Sequence, residues 1–286
     1  MSNLAINAEN LTYQYGDLTA VNAINFQVVE GEILGFLGPN GAGKSTTVKM
    51  LTGQLLPKSG QATLLGMDIV KQTKQIQAKI GICFENTNLY EEMSALDNLK
   101  LFARLYGSSA SAEVLLDRVG LNGRGKDKVQ TYSKGMKQRL MVARALINEP
   151  RILFLDEPTD GLDPVSSETI RNIIKEEQAK GTTVFLTTHD MLEADKLSNR
   201  VAFINQGKIV ALDTPHKLKQ KYGKRAIMAE VEMADGRLET REITLDEANT
   251  GTAVADLFAK EKVVTLHSEE ATLEDIFIQI TGRSLT

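Results

Sequence analysis

The sequence predicts an α/β fold: a core of mainly parallel sheet with an antiparallel β subdomain, an inserted helical lobe and a small α+β C-terminal appendage. Three observations predict it. Short apolar runs of strand character alternate with helical stretches over most of the chain, the pattern of a parallel sheet crossed by helices. A glycine-rich loop stands between one such strand and a helix. The charge balance then changes near Lys221: Tyr222 to Thr286 carry 7 Lys and Arg against 13 Asp and Glu, a balance of −6, while the first 221 residues stand at +2. The expected organisation is one large domain over residues 1–221 and an accessory domain over 222–286.

Leu4 to Tyr15 and Ala20 to Val29 mix β-branched and apolar residues on either side of Gly16-Asp17 and read as an antiparallel pair. Glu32 to Leu37 reads as a strand running into Gly38-Pro-Asn-Gly-Ala-Gly-Lys-Ser45, and the residues to Thr52 have helical character. Further strands are expected at Lys79 to Phe84, Ile152 to Leu155 and Thr182 to Thr187, with helices at Pro164 to Lys180 and Asp190 to Leu197. Between Glu91 and Pro150 no strand pattern occurs, so this segment reads as several short helices forming a lobe. After Tyr222 comes a hairpin, Ala226 to Met233 and Arg237 to Thr244, turned by Asp235-Gly236. A strand at Lys262 to Leu266 follows, flanked by helices at Ala253 to Lys260 and Thr272 to Ile280.

Composition narrows the function. The chain has 286 residues, 42% hydrophobic and 24% charged. Its apolar runs fall far short of the ~20 residues needed to cross a bilayer. The first residues lack the basic region and apolar core of a secretory signal, so the expected location is the cytoplasm. The single cysteine, Cys83, lies between Ile82 and Phe84 and reads as a buried strand residue, which excludes an internal disulfide and a cysteine-rich zinc site. A net charge of −4 argues against a general nucleic-acid binder.

Gly38-Pro39-Asn40-Gly41-Ala42-Gly43-Lys44-Ser45, followed by Thr46, fits the phosphate-binding P-loop and has the strand-loop-helix context that makes the match specific. Its glycines let backbone N–H groups curl around phosphates, and the helix N-terminus adds a favourable dipole. Lys44 can reach the terminal phosphates and Ser45 can bind Mg²⁺. The core is thus of the P-loop NTPase type. Ile152-Leu-Phe-Leu-Asp156-Glu157 is an apolar strand ending in two carboxylates with different tasks. Asp156 can hold the Mg²⁺ shell, and Glu157 can orient or deprotonate an attacking water. His189 ends another apolar strand, where groups of this fold class face ligand.

With these elements in order from Leu11 to Asp190, the chain resembles the nucleotide-binding subunits of ABC transporters. The resemblance implies ATP and Mg²⁺ as ligands, with Tyr15 stacking on adenine. It makes Tyr132-Ser-Lys-Gly-Met136 the signature loop, Gly161-Leu-Asp163 the D-loop and His189 the switch histidine. Ser133 and Gly135 are then expected to touch the γ-phosphate held by the P-loop of a second copy, in a homodimer formed with ATP. Two positions depart from the commonest pattern. Lys134 and Met136 stand where many members have glycine and glutamine, and Glu85 stands where the family usually places the glutamine that senses Mg²⁺ and the membrane partner.

Other ABC branches fit less well. Chromosome and repair relatives insert long coiled coils or zinc modules between P-loop and signature, whereas Lys44 and Ser133 are 89 positions apart here. Translation-associated relatives carry two ATPase halves, and this chain has one. A non-hydrolysing regulator is expected to lack a catalytic group, yet Lys44, Ser45, Asp156, Glu157 and His189 are all present. The acidic end, Glu270 to Arg283, resembles the C-terminal extension of bacterial drug and antibiotic exporters. The expectation is therefore an exporter ATPase, peripheral on the inner face of the cell membrane through integral membrane permease subunits, with the 91–150 lobe and the Glu85 loop as the contact. His216 and His267 have no evident metal-ligand partners and read as structural.

Overall fold

A computed structural model describes residues 3–223, 225–233, 235–245 and 249–282. The chain separates into two compact units that part between Leu212 and Asp213. In the first unit, β1 (Leu4–Tyr15) and β2 (Leu18–Val29) pair antiparallel across the Gly16-Asp17 turn. β3 (Ile33–Leu37) leads through the glycine loop into α1 (Lys44–Leu51). β4 (Ser59–Leu64) and β5 (Met67–Asp68) extend the antiparallel sheet to the order β2-β1-β4-β5. Then come α2 (Thr73–Gln77), β6 (Ile80–Cys83) and the lobe helices α3 (Ala95–Tyr106), α4 (Ala112–Arg118) and α5 (Lys134–Ala145), with a 3-10 turn at Val129–Thr131. β7 (Ile152–Asp156), α6 (Pro164–Ala179), β8 (Thr183–Thr188), α7 (Met191–Leu197), β9 (Arg200–Asn205) and β10 (Lys208–Asp213) complete it. No helix among the described residues is long and apolar enough to span a membrane.

The central sheet has the order β10-β9-β3-β8-β7-β6, and β9, β3, β8, β7 and β6 run parallel. Every residue of β3, β7 and β8 is buried, as expected of strands covered on both faces. The period of two along a strand decides which core each side chain joins. Leu153, Leu155, Val184 and Leu186 pack with the lobe residues Leu99, Leu116 and Tyr132. Ile152, Phe154 and Phe185 pack on the other side with Phe26 and Phe36, where the ring centroids of Phe36 and Phe185 lie 5.2 Å apart. The lobe is therefore not an independent body, because its core is continuous with one face of the sheet. α5 lies so close to β6 that a Cβ on Gly81 would sit 2.0 Å from the Ala145 carbonyl oxygen. Beside it Cys83 is fully buried, and burial pushes its thiol up to about 12.

The second unit holds α8 (Pro215–Tyr222), β11 (Arg225–Glu232), β12 (Leu238–Thr244), α9 (Thr250–Lys260), β13 (Lys262–Glu270) and α10 (Leu273–Thr281). Its antiparallel sheet has the order β12-β11-β13, and Ala229, Val231 and Leu257 form a small core between sheet and α9. The expected hairpin and helices are present, and β13 runs four residues beyond Leu266 because it stays paired with β11 to Glu270. α8, assigned by charge to the first domain, groups with this unit. Arg283 lies outside the described residues.

Glu177 of α6 fastens the lobe to the core. Its Oε1 accepts from Arg118 of α4 and from Lys180, each at 2.7 Å. Burial pushes this carboxyl up, but the hydrogen bonds from Lys180 and Arg118 outweigh it and hold the group below the ordinary glutamate value. A depressed carboxylate contributes stability above its unfolded pKa, ~4.3, and loses it as pH falls through the folded value. Glu177→Gln is expected to cost about 1–2 kcal/mol at neutral pH, and thermal melts repeated as pH is lowered below ~4 should find the difference from the unchanged protein narrowing.

Candidate functional site

β3 ends at Leu37 and releases the chain into the loop before α1. Gly43 has φ 111, and a Cβ there would lie 2.5 Å from the Ala20 carbonyl oxygen, so no other residue fits. Gly43 is also the N-cap of α1 and offers no side-chain acceptor, so the first-turn N–H groups of this helix have no side-chain cap. An uncapped helix start facing a cavity is a receptor for phosphate. Lys44 is buried and folds back over the loop, its Nζ donating to the Gly38 carbonyl at 2.6 Å and standing 3.0 Å from Glu157 Oε1.

The register of β7 against β8 sets Asp156 beside Thr187. Thr187 Oγ1 and Ser45 Oγ both donate to Asp156 Oδ1, the latter at 3.2 Å. Glu157 has φ 49, an unusual backbone for a glutamate, held by its N–H donating to Thr187 O at 3.1 Å and Oγ1 at 3.2 Å. That turn sends the carboxylate towards Lys44. His189, just beyond β8, places Nδ1 2.9 Å from Glu157 Oε2 and Nε2 3.7 Å from Asp160 Oδ1. An ionised carboxylate only accepts, so Nδ1 carries the proton in the Glu157 contact.

A cavity of about 290 Å³ opens over this group, lined by the Pro39 to Thr46 loop, Ala20, Glu85 and Glu157. The fold thus gathers Gly38 to Thr46, Glu85, Asp156, Glu157 and His189 at one end of the parallel sheet. Ser45 and Asp156, with Glu85 at the cavity wall, offer only oxygen donors. This is the chemistry Mg²⁺ prefers, and Mg²⁺ commonly takes its remaining ligands from phosphate and water. Bound there, it would neutralise phosphate charge.

Tyr15 is not among the cavity-lining residues. It ends β1, half exposed, with its ring edge against Tyr13. Ser133, Gly135 and Asp163 form a second cluster that does not line the cavity either. Ser133 caps α5 by accepting from the Met136 N–H at 3.3 Å. A Cβ on Gly135 would lie 2.5 Å from Ser166 Oγ and 3.1 Å from Asp163 Oδ2. Asp163 caps α6, and its hydrogen bonds from the Ser166 hydroxyl and N–H hold its carboxyl below the usual range. Lys134 Nζ stands 3.8 Å from Asp160 Oδ2. Sequence reasoning passed over Thr187 and Ala20. For Thr187 a signal existed, since a threonine pair closing the apolar run Val184-Phe-Leu186 must find partners once buried.

Residues 21–160 match the ABC transporter family. The fluoroquinolones export ATP-binding protein of Mycobacterium tuberculosis is 45% identical over 284 residues, 98% of this chain and 94% of that protein. The linearmycin resistance ATP-binding protein of Bacillus subtilis is 34% identical, over 98% of this chain and 99% of that protein. Among solved structures, an ATP-binding subunit of an ABC transporter superposes with a TM-score of 0.71 at 28% identity, over 76% of this chain and 93% of that one. A dimeric ATP-binding cassette in a post-hydrolysis state, bound to ADP and Pi, gives 0.67 at 28% identity, over 73% of this chain and 98% of that one. With the glycine loop and Glu157 lining one cavity, and Asp156 and His189 hydrogen-bonded to its residues Ser45 and Glu157, the chain belongs to the ABC transporter family as an ATP-binding, ATP-hydrolysing subunit that works with Mg²⁺.

Proposed function

We propose that this chain powers an exporter by closing head to tail with a second copy over two Mg-ATP molecules and so moving separate membrane subunits. The observation that carries the dimer is the division of the site. Lys44 and Glu157 line one cavity, with Asp156 bonded to Ser45 and His189 to Glu157, while Ser133, exposed, and Gly135, buried, stand at the start of α5 and do not line it. A second copy can supply what one chain keeps apart. The export direction rests on the names of the relatives, among them fluoroquinolones export and linearmycin resistance proteins.

In this reading α1 and Lys44 hold the terminal phosphates, Ser45, Asp156 and Glu85 hold Mg²⁺, and Tyr15 stacks on adenine. Glu157 orients the attacking water and accepts its proton. His189 steadies Glu157 through Nδ1 and reaches the γ-phosphate. Ser133 and Gly135 of one copy, at a helix N-terminus, complete the phosphate pocket of the other. Asp163 lies at the junction between them. The membrane subunits dock on the groove beside Glu85, where Phe84, Tyr90, Phe102 and Tyr106 present aromatic surface over Arg144. Tyr90 and Tyr106 are exposed there, and Leu105, also exposed, lines the adjoining pocket that shares Phe84 and Tyr106 with the groove. Docking places the chain on the inner face of the cell membrane, and residues 1–221 are the part that binds nucleotide.

Glu157→Gln is expected to lower hydrolysis by ~10²–10⁴, or about 3–5 kcal/mol of barrier, with ATP affinity little changed. Size-exclusion chromatography should then find an ATP-dependent dimer that Ser133→Arg abolishes. Near-normal hydrolysis by Glu157→Gln would sink the assignment of the base. Glu85→Gln should retain ATP binding and Mg²⁺ dependence and change only the stimulation by membrane subunits, and loss of basal activity would contradict it. Leu105→Asp with Tyr106→Asp should leave basal hydrolysis intact while the membrane subunits no longer co-purify, and undiminished co-purification rejects this groove as the dock.

A further inference from the structure

Glu193 lies in the first turn of α7, four residues after His189, and is only 3% exposed. No part of the phosphate site described above uses it. Its Oε2 accepts a hydrogen bond from Thr159 Oγ1 at 2.6 Å. Among the described residues its Oε1 has no hydrogen-bond partner, and Arg171 Nη1 of α6 stands 3.9 Å away while that guanidinium donates to Glu168. Burial pushes this carboxyl above the ordinary glutamate value against the Thr159 hydrogen bond, with Asp190 and Glu157 adding to the rise. A buried, under-partnered carboxylate is costly, so a purely packing role would be better served by an apolar side chain.

Thr159 connects this carboxylate to the catalytic segment. It lies two residues beyond Glu157, inside a turn closed by the Asp160 N–H donating to Glu157 O at 3.3 Å and the Leu162 N–H donating to Thr159 O at 3.2 Å. The turn starts at the left-handed backbone of Glu157 and ends at Asp163, the cap of α6. The Thr159 to Glu193 hydrogen bond ties the middle of this turn to the helix that follows His189. We propose that Glu193 is a positioning residue: through Thr159 it locks the 157–162 turn to α7, keeping Glu157 and His189 in register while Asp163 is presented to the second copy. The role rests on the reading of Glu157 as the base. Loosening the lock disturbs the attacking-water geometry and leaves ATP binding intact, because neither Lys44 nor the glycine loop touches Glu193.

The test uses the purified full chain with steady-state ATPase kinetics and thermal melts. Glu193→Leu conserves volume and removes the buried carboxyl, so melting should stay equal or rise while kcat falls ~10–100-fold, with KM for ATP within about twofold. Thr159→Val should give the same split, Thr159→Ser should restore most of kcat, and the double variant should be no worse than the poorer single one. A lowered melting temperature with unchanged kcat in Glu193→Leu and Thr159→Val overturns the proposal, as do additive losses or failure of Thr159→Ser to rescue. Glu157→Gln run alongside separates the two claims. If it is inactive while the Glu193 and Thr159 variants keep full kcat, the positioning role alone falls, and if it hydrolyses normally, the base assignment beneath it falls.

Discussion

Two ionised groups withdrawn from water, Lys44 and Glu157, meet at 3.0 Å, and much of the first unit is arranged around that contact. Buried charges persist only when paired and hydrogen-bonded. The pair is built from residues far apart in sequence, and what joins them is the parallel run of β3, β8 and β7. The Gly38 carbonyl accepts a hydrogen bond from the ammonium and His189 Nδ1 donates to the far carboxylate oxygen, so each charge has a second partner. An ammonium already stripped of water meets a phosphate oxygen with little further reorganisation, which is the sense in which such a site is preorganised.

α5 carries this arrangement outward. Its first residue follows Ser133, and near its last turn Arg144 donates to the Asn88 carbonyl at 2.8 Å and to the Asn88 side chain, on the loop that begins at Glu85. Burial lowers the pKa of this guanidinium, and the Phe102 ring lies 4.8 Å beneath it. Gln138, midway, reaches Cys83 at 3.5 Å. One rigid helix of 12 residues, about 18 Å long, thus joins the loop that would meet a second copy to the loop beside the aromatic groove.

The parts of this design that the sequence exposed were those in which the chemistry itself dictates residue type. A phosphate loop needs glycines and a lysine at set spacing, and a buried parallel strand is apolar at every position, so β3, β7 and β8 could be read with their polar ends. β4 and β5 escaped because Ser59, Gly60 and Gln61 are exposed and β5 has only two residues. β9 and β10 were legible in principle, since Asn205-Gln206-Gly207 is a tight hairpin turn with both Gln206 and Gly207 at positive φ. Thr159 and Glu193 are common residue types whose meaning arises only when α7 comes to rest against the 157–162 turn. No spacing along the chain encodes that meeting.

The buried thiol of Cys83 has a practical consequence for anyone who wishes to watch this protein move. With its pKa near 12 and its side chain sealed between β6 and α5, almost none of it is thiolate at neutral pH, and a reagent must wait for the strand to open. Its alkylation rate is therefore a clock for local unfolding at the edge of the sheet, next to the Glu85 loop. Because it is the one cysteine in the chain, a reporter thiol placed elsewhere can be labelled against a silent background.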